Sequence, residues 1–320
     1  MKAILVGLGN AGYSWYKRLR DRGHLAAVVE VDSAMRAKLN GEPVPFYTSL
    51  EEALDRESAD FLVNVTSPAV HTRVNHAAFD RRLPVLCEKP IAFDYGESVE
   101  VVARADREGI PFMVAENYRR FPYVRLMKAL LEQGVVGRIS TIDVSFFRYH
   151  RVERKYAVRI LDDIGVHHFD MLRYLTGREG VIVQARLWNP VGGWQEDGAS
   201  LNASVLLELE DGIAATYAAS IASRGPETPW SGDWRVEGTM GMLELAGQRL
   251  RLHRDGEVQA FDDWGGVDRS DTLDEFLASL RERREAETCG RDYLKTQALI
   301  HFANLADESG RRERVLLPPL

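Results

Sequence analysis

The chain has 320 residues, of which 45% are hydrophobic and 28% charged, a balance typical of a globular protein long enough for two domains. Its formal net charge of −7 argues against a nucleic-acid partner, because phosphate binding needs a basic surface. No apolar stretch approaches the ~18 residues needed to cross a bilayer, and no signal segment precedes the first strand. We therefore expect a cytoplasmic protein with no membrane partner. The two cysteines, Cys87 and Cys289, lack C-x-x-C spacing and predict neither a disulfide nor a zinc site.

The chain opens with an apolar strand, residues 2–6, that runs directly into Gly7-Leu-Gly9-Asn-Ala-Gly12. A strand, a G-x-G-x-x-G turn and a helix in this order form the dinucleotide-binding fingerprint. Gly7 permits a tight turn, Gly9 leaves room for a pyrophosphate, and Gly12 lets the helix pack closely. The helix that follows, about residues 11–22, aims backbone N–H groups at the phosphates. We predict cofactor contacts from Gly7, Gly9, Asn10, Ala11 and Gly12.

The second apolar strand, residues 25–29, ends in an acidic residue that bears on the choice of nucleotide. Glu30 lies 18 residues after Gly12, near the ~20 at which the fingerprint places a carboxylate on the adenosine ribose. A carboxylate there binds the ribose hydroxyls of NAD and repels the extra phosphate of NADP, and no Arg or Lys follows before Arg36. Asp32 is the alternative ribose ligand, and a solvated strand-end charge is the other interpretation of Glu30. We predict NAD, with NADP less favoured.

Strands and helical patterns alternate through about residue 120, as in βαβ units, and short strands joined by turns then dominate. The pattern predicts an α/β protein with a Rossmann dinucleotide-binding domain over 1–120 and an α+β domain with a mostly antiparallel sheet over 121–320. Strands are predicted at 61–65, 85–87, 112–115, 139–147, 181–188, 203–209, 213–221, 234–238 and 242–245. Helices are predicted at 71–81, 97–108, 122–133, around 164–175, 272–285 and 291–308.

Two further motifs carry candidate catalytic groups. Lys89, in Cys87-Glu-Lys-Pro90, follows a parallel strand at the end where open α/β sheets bind ligands; an ordinary surface lysine is the alternative. The i, i+4 spacing of Asp163 and His167 places an acid and an imidazole on one helix face, where the acid can fix the tautomer of the imidazole. A polar helix start would explain the pair equally well. We expect no metal here, since His167-His-Phe-Asp170 lacks the H-E-x-x-H spacing.

Six motifs together resemble those of the glucose–fructose oxidoreductase, inositol dehydrogenase and MocA (Gfo/Idh/MocA) family of NAD(P)-dependent dehydrogenases, over essentially the whole chain. The resemblance implies that the second domain is an open sheet that binds substrate and makes the contacts of a homodimer or homotetramer. It rests on Gly7-Leu-Gly9-Asn-Ala-Gly12, Thr66-Ser-Pro68-Ala-Val-His71, Glu88-Lys89-Pro90, Asn117-Tyr118-Arg119, Asp163-Ile-Gly165-Val-His167 and Glu237-Gly238-Thr-Met-Gly241.

The resemblance also implies an activity and its residues: hydride transfer between NAD and a secondary alcohol or ketone of a sugar, cyclitol or related polyol. Lys89 would lie by the nicotinamide and the substrate oxygen, Asp163 and His167 would carry the proton, and the Lys89–Pro90 bond would be cis. Substrate contacts are expected from Tyr118 and His168. Further cofactor contacts are expected from Thr66, Pro68, His71, Glu88, Lys89 and Asn117.

The chain departs from the family pattern ahead of Asp163, where glycines are usual and 156–162 contains none. Arg159 in this stretch presents a fork of donors that suits an acidic group or several hydroxyls of a substrate. The alternative is a surface arginine on a loop. The alternative function is a catalytically inactive NAD-binding sensor, which would be expected to lose Lys89 or His167. The indoles of the second domain could stack on a sugar, although core or subunit contacts are more usual; they are Trp188, Trp194, Trp230 and Trp234.

Overall fold

The computed structural model describes residues 1–151, 157–194 and 198–317. They form two compact units, the first made of Met1–Glu116 with Asp271–Leu294 and the second of Asn117–Ser270 with Lys295–Leu317. These units differ from the predicted division at residue 120 in the segment Asp271–Leu294, which belongs to the first unit. Tyr156, at the start of the stretch without glycine, lies outside the described residues.

The first unit is built on a six-stranded sheet in the order β3-β2-β1-β4-β5-β6. Its paired strands all run parallel, which is the Rossmann arrangement. The strands are β1 (Ala3–Val6), β2 (Leu25–Val29), β3 (Phe46–Tyr47), β4 (Phe61–Asn64), β5 (Val85–Cys87) and β6 (Phe112–Val114). The helices are α1 (Asn10–Asp21), α2 (Leu50–Arg56), α3 (Pro68–Asp80), α4 (Tyr95–Glu108) and α7 (Thr272–Glu282), with a 3₁₀ turn at Ser33–Leu39.

Local sequence explains where these elements begin and end. The Asp94 side chain accepts the N–H of Glu97 at the start of α4, and Gly109 ends that helix with φ of +64°. Asp271 and Asp274 form a reciprocal capping box at α7. Helix α7 also places Leu273, Phe276 and Leu277 in the hydrophobic core of the first unit, so its apolar face is buried there.

The second unit is built on a nine-stranded sheet in the order β14-β13-β12-β11-β7-β10-β9-β8-β15. Only the β10–β7 pair is parallel in this sheet as described. The strands are β7 (Ile139–Phe147), β8 (Gly180–Trp188), β9 (Asn202–Leu209), β10 (Ala214–Ser220), β11 (Asp233–Gly238), β12 (Gly241–Ala246), β13 (Arg249–Arg254), β14 (Glu257–Phe261) and β15 (Glu313–Arg314). The helices are α5 (Pro122–Glu132), α6 (Val166–Thr176) and α8 (Gly290–Ser309), of which the first residues, up to Leu294, belong to the first unit.

Burial alternates along the central strands, so one face of this sheet carries the core. In β9 the side chains of Ala203, Val205 and Leu207 are buried, whereas Leu206 between them is 49% exposed. This exposed face is the one to which the family resemblance assigns subunit contacts, and the oligomeric state stays a prediction. Among the described residues, no helix is both long enough and apolar enough to span a membrane.

A buried ion pair ties helix α6 to the segment that begins the second unit. Arg119 donates to both carboxylate oxygens of Asp170, at 2.5 and 2.7 Å, and both side chains are at most 5% exposed. Asp170 also accepts the hydroxyl of Thr296 at 2.9 Å. The Arg119 guanidinium lies 5.3 Å from the centre of the Tyr174 ring. The carboxylate is therefore compensated on both oxygens, as a buried charge must be.

Removing one partner of this pair should destabilise the protein strongly. Arg119→Ala leaves the Asp170 carboxylate buried without its bidentate donor, and we expect a loss of about 3–5 kcal/mol in the free energy of unfolding. Urea denaturation measures it. The control is Arg178→Ala, which breaks the exposed Arg178–Asp211 pair and should change the midpoint little. Equal midpoints for the two variants would contradict this account of the pair.

Candidate active site

The glycine-rich turn contains two glycines that the protein's own packing requires and one that it does not. Gly7 has φ of +100°, and a Cβ there would lie 2.6 Å from the carbonyl oxygen of Val65. A Cβ on Gly12 would lie 2.3 Å from the carbonyl oxygen of Gly7. A Cβ on Gly9 would meet nothing within 4 Å, and Gly9 is exposed. The space at Gly9 is thus open for a ligand, as the approach of a pyrophosphate requires.

The start of helix α1 suits an anion. Its N-cap, Gly9, provides no side-chain hydrogen bond, and its first turn contains no acidic residue. Asn10 and Ala11 are exposed there. The first backbone N–H groups of the helix, together with its dipole, therefore favour a negatively charged group at this end. The residues present fit the diphosphate of a dinucleotide.

Glu30 is anchored to the glycine-rich turn. One of its carboxylate oxygens accepts the N–H of Leu8 at 2.8 Å and the other accepts the N–H of Asp32 at 3.1 Å. The Asp32 side chain accepts the N–H of Ala34 and caps the 3₁₀ turn. Lys38 donates to the carbonyl oxygen of Leu8 at 3.2 Å, which brings a cation to the turn that the sequence reasoning did not consider. Glu30 is therefore a fixed carboxylate at the end of β2.

Buried polar side chains hold the loop after β4. The Asn64 amide oxygen accepts the hydroxyl of Thr66 at 2.8 Å. The ring of His71 is wholly buried, with Nδ1 2.8 Å from the carbonyl oxygen of Pro90 and Nε2 3.1 Å from that of Thr66. Burial lowers the pKa of His71. Thr66 and Pro68 are partly exposed and available to a ligand, whereas His71 lies behind the loop and links it to Pro90.

The Glu88-Lys89-Pro90 motif follows β5, and its Lys89–Pro90 peptide bond is cis. One Glu88 oxygen accepts the indole N–H of Trp15 at 2.8 Å, and the other accepts the N–H of Lys89 at 3.3 Å. Burial raises the pKa of the Glu88 carboxyl, partly offset by the hydrogen bond from Trp15. Glu88 therefore connects helix α1 to the backbone of Lys89, whose side chain is partly exposed.

In the second unit, Asp163 and His167 lie on either side of a change in helix type. Leu161–Gly165 forms a π-helical turn, and the α-helix begins only at Val166. The prediction of a helix around 164–175, beginning near Asp163, did not include this change of helix type. In an α-helix, two residues four positions apart are rotated about the helix axis by about 40° more than one full turn. A π turn holds more residues, so the overshoot is smaller and Asp163 comes more nearly above His167.

The adjacent histidines of α6 have different surroundings. The ring of His167 stacks on that of Tyr118, with centroids 4.1 Å apart and planes inclined by 10°. His168 is wholly buried, its Nδ1 2.9 Å from the Tyr217 hydroxyl and its Nε2 2.8 Å from the carbonyl oxygen of Trp230. Burial lowers the pKa of His168 to about 3. Both nitrogens of His168 are thus used by the protein, although the sequence predicted a substrate contact.

Arg159 and Asn117 are two other residues that the sequence predicted to contact a ligand. The guanidinium of Arg159 lies 3.2 Å from a carboxylate oxygen of Glu308 and 3.5 Å from one of Asp162. The carboxylates of Glu308 and Asp162 therefore balance the positive charge of Arg159. This placement gives no support to the binding of an acidic substrate at Arg159. Asn117 is exposed and directly precedes the 3₁₀ turn Tyr118–Arg120, to which its side chain makes no capping hydrogen bond.

The sequence analysis missed two supporting residues, Trp15 and Asn64, and the stacking role of Tyr118. Trp15 lies three residues after Gly12 on the same helix, and Asn64 ends β4 just before the Thr66 motif. Their positions next to recognised motifs are the only signal the sequence holds. Of the four tryptophans considered, Trp234 is in the core, while Trp188 and Trp230 are 38% and 36% exposed.

The glycine geometry predicts opposite outcomes for two similar substitutions. Gly9→Ala should leave the unfolding midpoint nearly unchanged, because its Cβ enters open space, yet weaken NAD binding about tenfold or more by blocking the diphosphate. Gly12→Ala should lower the melting temperature, because its Cβ meets the Gly7 carbonyl. Thermal denaturation and NAD titration of both variants measure this. A Gly9→Ala protein that binds NAD normally would contradict the placement of the diphosphate.

Burial of neutral His168 should make the protein lose stability in mild acid. The pKa of a histidine in the unfolded chain is ~6.5, whereas that of folded His168 is about 3. Between these pH values the unfolded chain binds a proton that the folded protein does not, and the free energy of unfolding falls as the pH is lowered. This linkage costs about 2 kcal/mol between pH 7 and pH 5. Urea denaturation at both pH values should show a smaller pH dependence for His168→Gln than for the wild type. Equal pH dependence would show that His168 is protonated when folded.

Two family models match successive parts of the chain. The family model described as "Oxidoreductase family, NAD-binding Rossmann fold" matches residues 1–116, and that of the "GFO/IDH/MocA C-terminal domain" matches residues 124–244. A D-apiose dehydrogenase from Paraburkholderia graminis is 29% identical, over 97% of this chain and 88% of its own. Inositol 2-dehydrogenase 1 of Paenarthrobacter aurescens is 28% identical, over 82% of this chain and 85% of its own.

Solved structures share the fold. An oxidoreductase from Agrobacterium radiobacter, in complex with NAD+, L-tartaric acid and magnesium, matches with a TM-score of 0.88 at 23% identity, over 98% of each chain. An aldose-aldose oxidoreductase from Caulobacter crescentus, complexed with glycerol, matches with a TM-score of 0.86 at 19% identity, over 98% of this chain and 99% of its own. The predicted fold class is confirmed. The chain belongs to the Gfo/Idh/MocA oxidoreductase family, with an NAD-binding Rossmann domain.

Proposed function

We propose that the protein is an NAD-dependent dehydrogenase that transfers a hydride between the nicotinamide and a secondary alcohol or ketone of a sugar, cyclitol or related polyol. The observation that carries the proposal is the junction of the π turn and α6, across which Asp163 and His167 lie four residues, or about one turn, apart. Such an acid–imidazole pair is suited to proton transfer, and the other unit of the chain has an NAD-binding fold.

His167 acts as the proton carrier. In the oxidative direction its neutral imidazole accepts the hydroxyl proton of the substrate, and it returns a proton to the oxygen in the reductive direction. Asp163 orients the ring and stabilises the imidazolium that forms. His168 cannot take this part, because it is wholly buried and burial lowers its pKa to about 3.

Lys89 acts on the substrate oxygen. When bound, the nicotinamide supplies the hydride acceptor or donor. The ammonium of Lys89 donates a hydrogen bond and positive charge to the oxygen where negative charge develops, an electrostatic contribution to the transition state. Glu88 accepts the Lys89 backbone N–H and so holds this residue at the end of β5.

The substrate class and cofactor rest on two kinds of support. The names of the relatives, an apiose dehydrogenase and inositol dehydrogenases, point to uncharged polyols, and the Arg159 guanidinium faces two carboxylates of the protein. Glu30 favours NAD, because its fixed carboxylate repels an additional phosphate on the ribose. The ammonium of Lys38, which lies at the same turn, would attract that phosphate and so favour NADP. Direct comparison of the two cofactors is therefore part of the test.

The test is turnover on a panel of polyols, cyclitols, aldoses and keto-sugars with NAD, NADH and their phosphorylated forms, followed by nicotinamide absorbance. We expect activity on at least one polyol, with NAD preferred. Lys89→Ala and His167→Ala should each lower kcat by about 10²-fold or more with NAD affinity nearly unchanged. NAD binding without turnover on any member of the panel would instead favour a sensor, and tighter binding of NADP would overturn the role of Glu30.

A further inference from the structure

Tyr118 and His167 form a close parallel pair of rings inside the second unit. Their centroids are 4.1 Å apart, their planes are inclined by only 10°, and the side chains belong to residues only 7% and 6% exposed. Aromatic pairs in proteins usually lie 4.5–7 Å apart, so this contact is tight. It covers one face of the imidazole to which the proposed function assigns proton transfer.

The neighbours of Tyr118 fix the position of its ring. Phe121 packs against it with centroids 5.1 Å apart. Arg119, which directly follows Tyr118, makes the buried bidentate ion pair with Asp170. Asp170 lies three residues after His167 on α6. Consecutive residues of one segment therefore contact α6 at two points, one on the histidine and one almost a turn later. The ion pair holds the backbone, and the stacked ring holds the imidazole.

We propose that Tyr118 is a positioning residue, which orients the His167 imidazole for proton transfer through the face of its ring and not through its hydroxyl. The proposal rests on the function proposed above and replaces the expectation that Tyr118 binds substrate. A histidine ring otherwise rotates broadly about its last torsion, and proton transfer needs a nitrogen aimed at the substrate oxygen. A parallel partner at 4.1 Å restricts that rotation.

The kinetic test compares two variants of the same residue. Tyr118→Phe keeps the ring and loses the hydroxyl, so its kcat should stay within about twofold of the wild type. Tyr118→Leu fills a similar space without a ring, and its kcat should fall about tenfold to a hundredfold while KM and NAD affinity stay nearly constant, because small misplacements of catalytic groups cost this much. A hydroxyl role in substrate binding would instead raise KM in both variants and overturn the proposal.

A second measurement reports the stack without depending on turnover. In proton NMR spectra of the whole chain, the Hε1 signal of His167, identified by its loss in His167→Gln, should be shifted upfield by the Tyr118 ring. It should remain so in Tyr118→Phe and return towards its ordinary position in Tyr118→Leu. A signal that does not move in Tyr118→Leu overturns the stacking role. Absence of turnover by the wild type on the whole panel, with the shifted signal present, overturns the proposed function instead.

Should Tyr118→Leu fail to fold, Tyr118→Phe decides the question alone. A Phe variant with a wild-type melting temperature and a kcat reduced tenfold or more would show that the hydroxyl, and not the ring face, is what His167 or the substrate requires. Normal turnover with the upfield signal retained supports the ring.

Discussion

The candidate catalytic helix depends on the buried Arg119–Asp170 ion pair. Both charges are almost fully removed from water, so the pair is stable only because both carboxylate oxygens are bound by the guanidinium and Thr296 adds a further donor. That geometry permits one arrangement of α6 against the segment 117–120. The Tyr118–His167 stack follows from this arrangement, because Tyr118 precedes the arginine and His167 lies three residues before the aspartate. The ion pair thus fixes the backbone on both sides of the stacked rings.

The first unit uses the same principle with single hydrogen bonds in place of a bidentate ion pair. The polar atoms of Asn64, His71 and Glu88 make hydrogen bonds to the backbone or side chains of neighbouring loops. Thr66, Pro68 and Lys89, next to them in the same motifs, are partly exposed. Each supporting group is buried or partly buried, where an unpaired polar atom is costly, so its partner loops have little freedom. The residues that face a ligand are held by residues that do not, and the two kinds occur side by side in the same motifs.

Local patterns in the sequence predicted most of the architecture, since buried parallel strands such as Leu25–Val29 and the caps of α4 are encoded by neighbouring residues. The prediction missed β3, α2, β13, β14 and β15. Strands β3 and β15 have only two residues each, and β14 is almost wholly exposed, so these three carry little apolar signal. In β13 the buried Leu250 and Leu252 do alternate with charged residues, a short signal that the prediction did not use. The prediction also assigned residues 271–294 to the second domain because they come late in the chain. Phe276 instead packs in the hydrophobic core of the first unit, and the segment belongs there. The π turn before α6 and the partners of Arg159 arise from tertiary contacts, which spacing alone does not reveal.

The two histidines of α6 show why residue type cannot assign a proton carrier by itself. His167 and His168 are neighbours with the same intrinsic pKa, and only their surroundings separate them. His168 faces the sheet, where the Tyr217 hydroxyl and the Trp230 carbonyl take both nitrogens, and a charged imidazolium there would be stripped of water. His167 has the Tyr118 ring stacked on its own ring instead. The packing around each ring, and not the residue type, therefore decides which of the two histidines is the candidate proton carrier.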